Sequence, residues 1–138
     1  MTTGYISLRF RHPTRELDYL SSLLGLTCFR SWTVGTARQT PTGKILPGTN
    51  AESYWVSLSE YPVEAGFSNE LKATITRLVQ VKDHIRDIKK SGGKVEIYLQ
   101  LSGSITNGDS IDSTLLKKMG ELEVDLLLEV FLDVCEKD

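Results

Sequence analysis

The stretch YISLRFR alternates apolar Ile6, Leu8 and Phe10 with polar Ser7, Arg9 and Arg11. A period of two sorts the two sets onto opposite faces of a half-buried strand. The period then lengthens. In HPTRELDYLSSLLGL, Leu17, Leu20 and Leu24 form a helical stripe; Thr14 is placed to cap it, Glu16 falls in its first turn and Gly25 is placed to end it. Alternation returns in residues 28–34, where Cys28, Arg30, Trp32 and Val34 share one row before Gly35 breaks it. Residues 36–52 carry Pro41, Gly43, Pro47 and Gly48 with little periodicity and read as a long loop. SYWVSLS then reads as a strand with Tyr54, Val56 and Leu58 on one face and Trp55 among serines on the other.

The second half is more regular. After a turn region, YPVEAGF, the residues Leu71, Ile75, Leu78, Val79, Ile85 and Ile88 recur at helical spacing. They predict one long helix, capped by Ser68 or Asn69 and stopped by Gly92 and Gly93. KVEIYLQLSG is a strand with Val95, Ile97, Leu99 and Leu101 inward and Glu96, Tyr98 and Gln100 outward. A loop, SITNGDSI, leads to a short helix capped by Asp112 or Ser113 that buries Leu115, Leu116 and Met119. VDLLLEVFLDV closes the chain as a strand with Val124, Leu126, Leu128, Val130, Leu132 and Val134 inward.

Strands interleaved with helices predict an α+β two-layer sandwich. The expected form is a single domain, 1–138, with a ferredoxin-like mixed sheet of about five strands, helices on one face, and an extra helix and strand at the end. Helices on one face leave the other open. The outward rows are expected to present Arg9, Trp55, Tyr98, Leu127 and Phe131 there, a composition typical of binding surfaces.

Composition adds bounds. The charge is −2, but the first 48 residues carry a net +4 and residues 109–138 a net −6. These two poles either attract each other within the fold or steer a charged partner. The N-terminus lacks a basic start followed by a long apolar run, so no secretory leader is expected, and no stretch is long enough to span a bilayer. The expectation is a cytoplasmic protein whose Cys28 and Cys135 are reduced.

Signatures of chemistry are sparse. Gly43-Lys44 is followed by Ile45 and lacks the earlier glycine of a phosphate-binding loop. His12 and His84 stand alone, with no metal-ligating spacing. Neither an enzyme, a bound metal or cofactor, a nucleic-acid partner nor a membrane partner is expected.

LLGLTCFRSWTVGTAR, then TGK, then YWVSLS, resembles the domain of unknown function 4279 family. Arg30, Ser31, Trp32, Gly35, Arg38, Trp55, Ser57 and Leu58 stand at matching places, and the resemblance continues through SGGKVEIYLQLSG and LLKKMGELEVDLLLEVF. TVG replaces the family's usual Lys-Gly, and the loop before YWVSLS is longer. The resemblance implies a small bacterial α+β domain and carries no activity.

Arg30 in an apolar row needs a partner. It is expected either to stack on an aromatic ring or to pair with an acid from the C-terminal third. Two functional readings follow. The first is a non-catalytic protein-binding module, concretely a bacterial immunity protein that neutralises a cognate toxin through Glu121, Glu123, Asp125, Glu129, Trp55 and Tyr98. The alternative is a small anionic-ligand binding domain that closes the 36–52 loop with Arg30, Trp32, Arg38 and Lys44. A homodimer is compatible with either.

Overall fold

The computed structural model describes residues 3–102 and 108–131. The expectations for Leu132, Val134, Cys135 and the side chain of Phe131 lie outside the described residues. The chain runs β1 (Thr3–His12), α1 (Leu20–Leu24), β2 (Arg30–Trp32), β3 (Ala37–Gln39), β4 (Ile45–Thr49) and β5 (Ser53–Pro62). It continues with α2 (Ser68–Gln80), α3 (Lys82–Lys90), β6 (Lys94–Ser102), α4 (Ser113–Glu121) and β7 (Asp125–Phe131).

Five strands form one sheet in the order β2-β5-β1-β6-β7. Each neighbouring pair among the first four is antiparallel, and β7 joins β6 in parallel. Without β7 this is the ferredoxin-like strand order, and α4 with β7 is the appended unit, as the sequence pattern predicts. One face carries the helices. Ile6, Leu8 and Phe10 of β1 and Val95, Ile97 and Leu99 of β6 are buried against Leu71, Ile75, Leu78, Ile85 and Ile88. Each such side chain contributes about 1.5–3 kcal/mol on burial. Among the described residues no helix is long and apolar enough to cross a membrane.

The departures have local causes. The first helix spans only Leu20–Leu24, although Leu17 is buried and Gly25 ends the helix in the left-handed region as expected. Upstream, Thr14 does not cap it. The buried His12 ring takes over instead: its Nδ1 accepts the backbone N–H groups of Thr14 (3.1 Å) and Arg15 (2.9 Å). Its Nε2–H donates to Ser91 Oγ (2.8 Å), whose hydroxyl donates to the Asp87 carbonyl.

β2 has three residues rather than seven. The chain turns away at once, with the Val34 N–H donating to Ser53 Oγ and Gly35 at φ 82°. The 36–52 stretch is not a plain loop. It holds the β3–β4 hairpin, closed by a turn in which the Gly43 N–H donates to the Thr40 carbonyl. Pro41 at the second position and Gly43 at the fourth suit that turn.

The long helix is two helices, broken at Val81 (φ −120°, ψ 31°). Neither Ser68 nor Asn69 caps it from within. Asp109, from the segment before α4, accepts the N–H groups of Phe67 and Ser68 and the Ser68 hydroxyl. Partial burial pushes its carboxyl up, but the bonds from Ser68, Ser110 and Phe67 outweigh that and hold it below the ordinary carboxylate range. Asp112 caps α4 as predicted, accepting the Leu115 N–H at 2.8 Å. Leu116, expected inside, is exposed, as are Leu128 (59%) and Val130 (57%) of β7, because the helix layer stops short of the sheet's last edge.

Candidate functional site

The strand registers assemble the open sheet face from the sequence. One row across the sheet is Arg30, Val56, Arg9, Glu96 and Asp125. A second is Trp32, Tyr54, Arg11 and Lys94; a third is Leu58, Ser7, Tyr98 and Leu127. Each arginine therefore has an aromatic neighbour on this face: Tyr98 diagonally across from Arg9, Tyr54 directly across from Arg11, and Trp32 two residues along the strand from Arg30. The Arg9 guanidinium lies 3.5 Å from the centre of Tyr98, Arg11 lies 4.8 Å from Tyr54 and Arg30 5.0 Å from Trp32. Trp32 and Tyr54 stack at 4.5 Å. Each arginine–ring contact contributes about 0.5–2 kcal/mol.

The three arginines differ in what neutralises them. Arg11 bonds Glu52 (2.7 Å) and Glu96 (3.2 Å). Partial burial works against its charge, and those two carboxylates more than offset it. Arg9 donates from Nε to Ser7 Oγ (2.9 Å), and Arg30 donates to the Gln39 carbonyl (3.0 Å). Among the described residues neither Arg9 nor Arg30 forms an ion pair. Among the described residues the face thus presents two guanidinium groups without a counter-charge, beside Trp32, Tyr54 and the exposed Phe29 (67%) and Leu58. Burial pushes the Tyr54 phenol up, so its hydroxyl stays a neutral donor.

Two depressions share Arg30 and Trp32 as their common wall. A shallow basin of 270 Å³ lies over the sheet, against Arg9, Tyr54 and Leu58. A cleft of 620 Å³ lies on the hairpin side, against Arg38, Gln39 and Asn50. Asn50 fixes the hairpin base by donating to the Thr36 carbonyl (3.2 Å), and Arg38 donates to the Pro47 carbonyl (3.2 Å).

The anticipated residues separate into groups. Arg30, Trp32 and Arg38 come together at the cleft, whereas Lys44 is exposed near the hairpin tip and does not line it. Tyr98 is on the open face under Arg9. Trp55 is not: it is fully buried on the helix side, edge-on to Phe10, with its indole N–H donating to Ser21 Oγ (3.0 Å). The row of serines around it is what the helix layer covers, since small side chains let α1 and the following segment approach; Ser57 donates to the Thr27 carbonyl there. Glu121, Glu123 and Asp125 are exposed around the α4–β7 turn, at the sheet edge opposite β2. Glu129 is half-buried, and its Oε1 has no hydrogen-bond partner among the described residues. No ion pair among the described residues joins the basic first third to the acidic last third; among them Arg30 takes the aromatic partner.

Phe29, Tyr54 and Leu58 were not anticipated as site residues. The alternation of β5 carries the signal for Tyr54 and Leu58, once the face opposite Trp55 is taken as the open one; nothing in the pattern marks Phe29, which lies just before β2.

This fold and surface define a small α+β domain with an arginine–aromatic sheet face. The chain belongs to the family described as Domain of unknown function (DUF4279), which matches residues 2–131. No curated protein and no solved structure matches it.

Proposed function

We propose that this chain is a non-catalytic binding module for another protein and that the open sheet face is its contact surface. One observation carries the reading: Arg9 and Arg30 lie over aromatic rings, without carboxylate partners among the described residues, beside exposed Phe29 and Leu58. Aromatic and arginine side chains of this kind dominate binding energy at protein interfaces. The matching partner presents acidic residues next to an apolar patch, and a cognate toxin with such a surface is a partner of this kind. The acidic pole at Glu121, Glu123 and Asp125 stands apart from the aromatic face, so we place the contact on the arginines.

The test is a pull-down from the native host with three baits. The unaltered chain and a Glu121→Lys, Glu123→Lys variant should retain one stoichiometric partner, and an Arg9→Glu, Arg30→Glu variant should lose it. Loss with the acidic-pole variant alone would overturn the assignment.

The 620 Å³ cleft favours a second reading, a small anionic ligand held by Arg30 and Arg38 against Trp32. Thermal stabilisation by small aromatic carboxylates or phosphates, abolished by Arg38→Ala, would support it.

A further inference from the structure

We propose that β7 pairs with β7 of a second copy of this chain, antiparallel and centred on Leu128, so that the sheet continues across a two-fold axis. Among the described residues β7 is an edge strand of seven residues, bonded on one side to β6. Its other side presents a row of backbone N–H and C=O groups, a template for a further strand. Asp125–Phe131 is lightly protected: the register with β6 runs without a bulge, DLLLEVF holds neither lysine nor proline, and its charges are limited to Asp125 and Glu129. The opposite edge, β2, is only three residues long.

The apolar stripe points the same way. Leu126 is half-buried on the helix side, and Leu128 and Val130 follow it on that face, more than half exposed. Leu116 of α4 is exposed beside them, and with Leu128 and Val130 it lines one groove.

Self-complementarity identifies the occupant. With the axis at Leu128, Leu128 meets its own copy, and Leu126 meets Val130 twice, so the stripe is covered by an identical stripe. On the other face Leu127 stands opposite Glu129. Moving the axis to Leu127 would set Asp125 opposite Glu129, and moving it to Glu129 would set that acid opposite itself. Like charges directly across a ladder are destabilising. Leu128 therefore centres the long register that joins apolar to apolar without opposing acids. The axis is perpendicular to the sheet, so both open faces point the same way and the assembly is bivalent.

The test uses the full chain. Sedimentation equilibrium at micromolar concentration should give twice the 15.4 kDa chain mass. Leu128→Lys with Val130→Lys should give the single mass with unchanged circular dichroism. Opposed Cα atoms in an antiparallel ladder lie about 4.5–5.5 Å apart, within disulfide reach. Leu128→Cys, in a Cys28→Ser, Cys135→Ser background, should therefore cross-link on oxidation, and Leu127→Cys should not. A monomeric unaltered chain, a dimer that survives the double lysine substitution, or cross-linking at Leu127 in place of Leu128 would each overturn the proposal.

Discussion

Replacing His12 by alanine tests how the turn after β1 is held. The ring is 1% exposed and makes three hydrogen bonds: it accepts the Thr14 and Arg15 N–H groups and donates to Ser91. Leaving a backbone N–H without a partner costs about 1–3 kcal/mol, and because Thr14 and Arg15 are exposed, water partly replaces the ring, so the lower end applies. Two such groups, with the lost Ser91 bond and ring packing, give about 2–3 kcal/mol.

The effect depends on pH. Burial, then the charge of Arg15, lowers the His12 pKa below its ordinary value of about 6.5, against a smaller opposing pull from Asp87. The unfolded chain therefore takes up the proton first. The stability His12 contributes is fully present above pH of about 6.5 and is lost as pH falls from there through the folded-state pKa. Asp87 titrates lower, held down by its bond to Arg15. Urea unfolding of the unaltered chain and His12→Ala should show a stability gap that is larger at neutral pH and shrinks on acidification. A gap under about 0.5 kcal/mol at neutral pH, or one independent of pH, would refute the reasoning.

Other outcomes follow from the same geometry. Gly66→Ala should destabilise by about 3 kcal/mol in urea, because Gly66 has φ 83° and an added Cβ would stand 2.2 Å from the Asp109 carboxylate that caps α2. Gly108→Ala, with open space around it, should be within about 0.5 kcal/mol of the unaltered chain. Arg30→Ala should lower stability by only about 0.5–1 kcal/mol, the worth of a solvent-accessible ring contact with Trp32, since its hydrogen-bond partner is a surface carbonyl, while weakening partner capture. Arg11→Ala should cost about 1–2 kcal/mol in urea, because it strips a partly buried Glu96 of its counter-charge.

Much of the fold was legible because strand and helix periods differ. The alternation in β1 and β6 and the stripe from Leu71 to Ile88 place the main core correctly. Alternation does not say which face the helices cover. In β5 the apolar row Tyr54, Val56 and Leu58 is the open one, and the serine row with Trp55 is buried, so Trp55 was assigned to the wrong side. Arg30 and Trp32 were recognisable from their shared row, but their neighbours Tyr54 and Arg11 come from distant strands, and only the register joins them. The hairpin was hidden by its low apolar content, although Thr40-Pro41-Thr42-Gly43 is a turn signal. The break at Val81 has no glycine or proline to mark it. The exposure of Leu128 and Val130 depends on where the helix layer ends, which no local pattern encodes.

The most direct test of the central claim is amide hydrogen exchange of the chain alone and with its captured partner. The account predicts slowed exchange in residues 28–34 and in β5, around Arg30, Trp32 and Tyr54. Slowed exchange confined to residues 113–125, around Glu121 and Glu123, would contradict it.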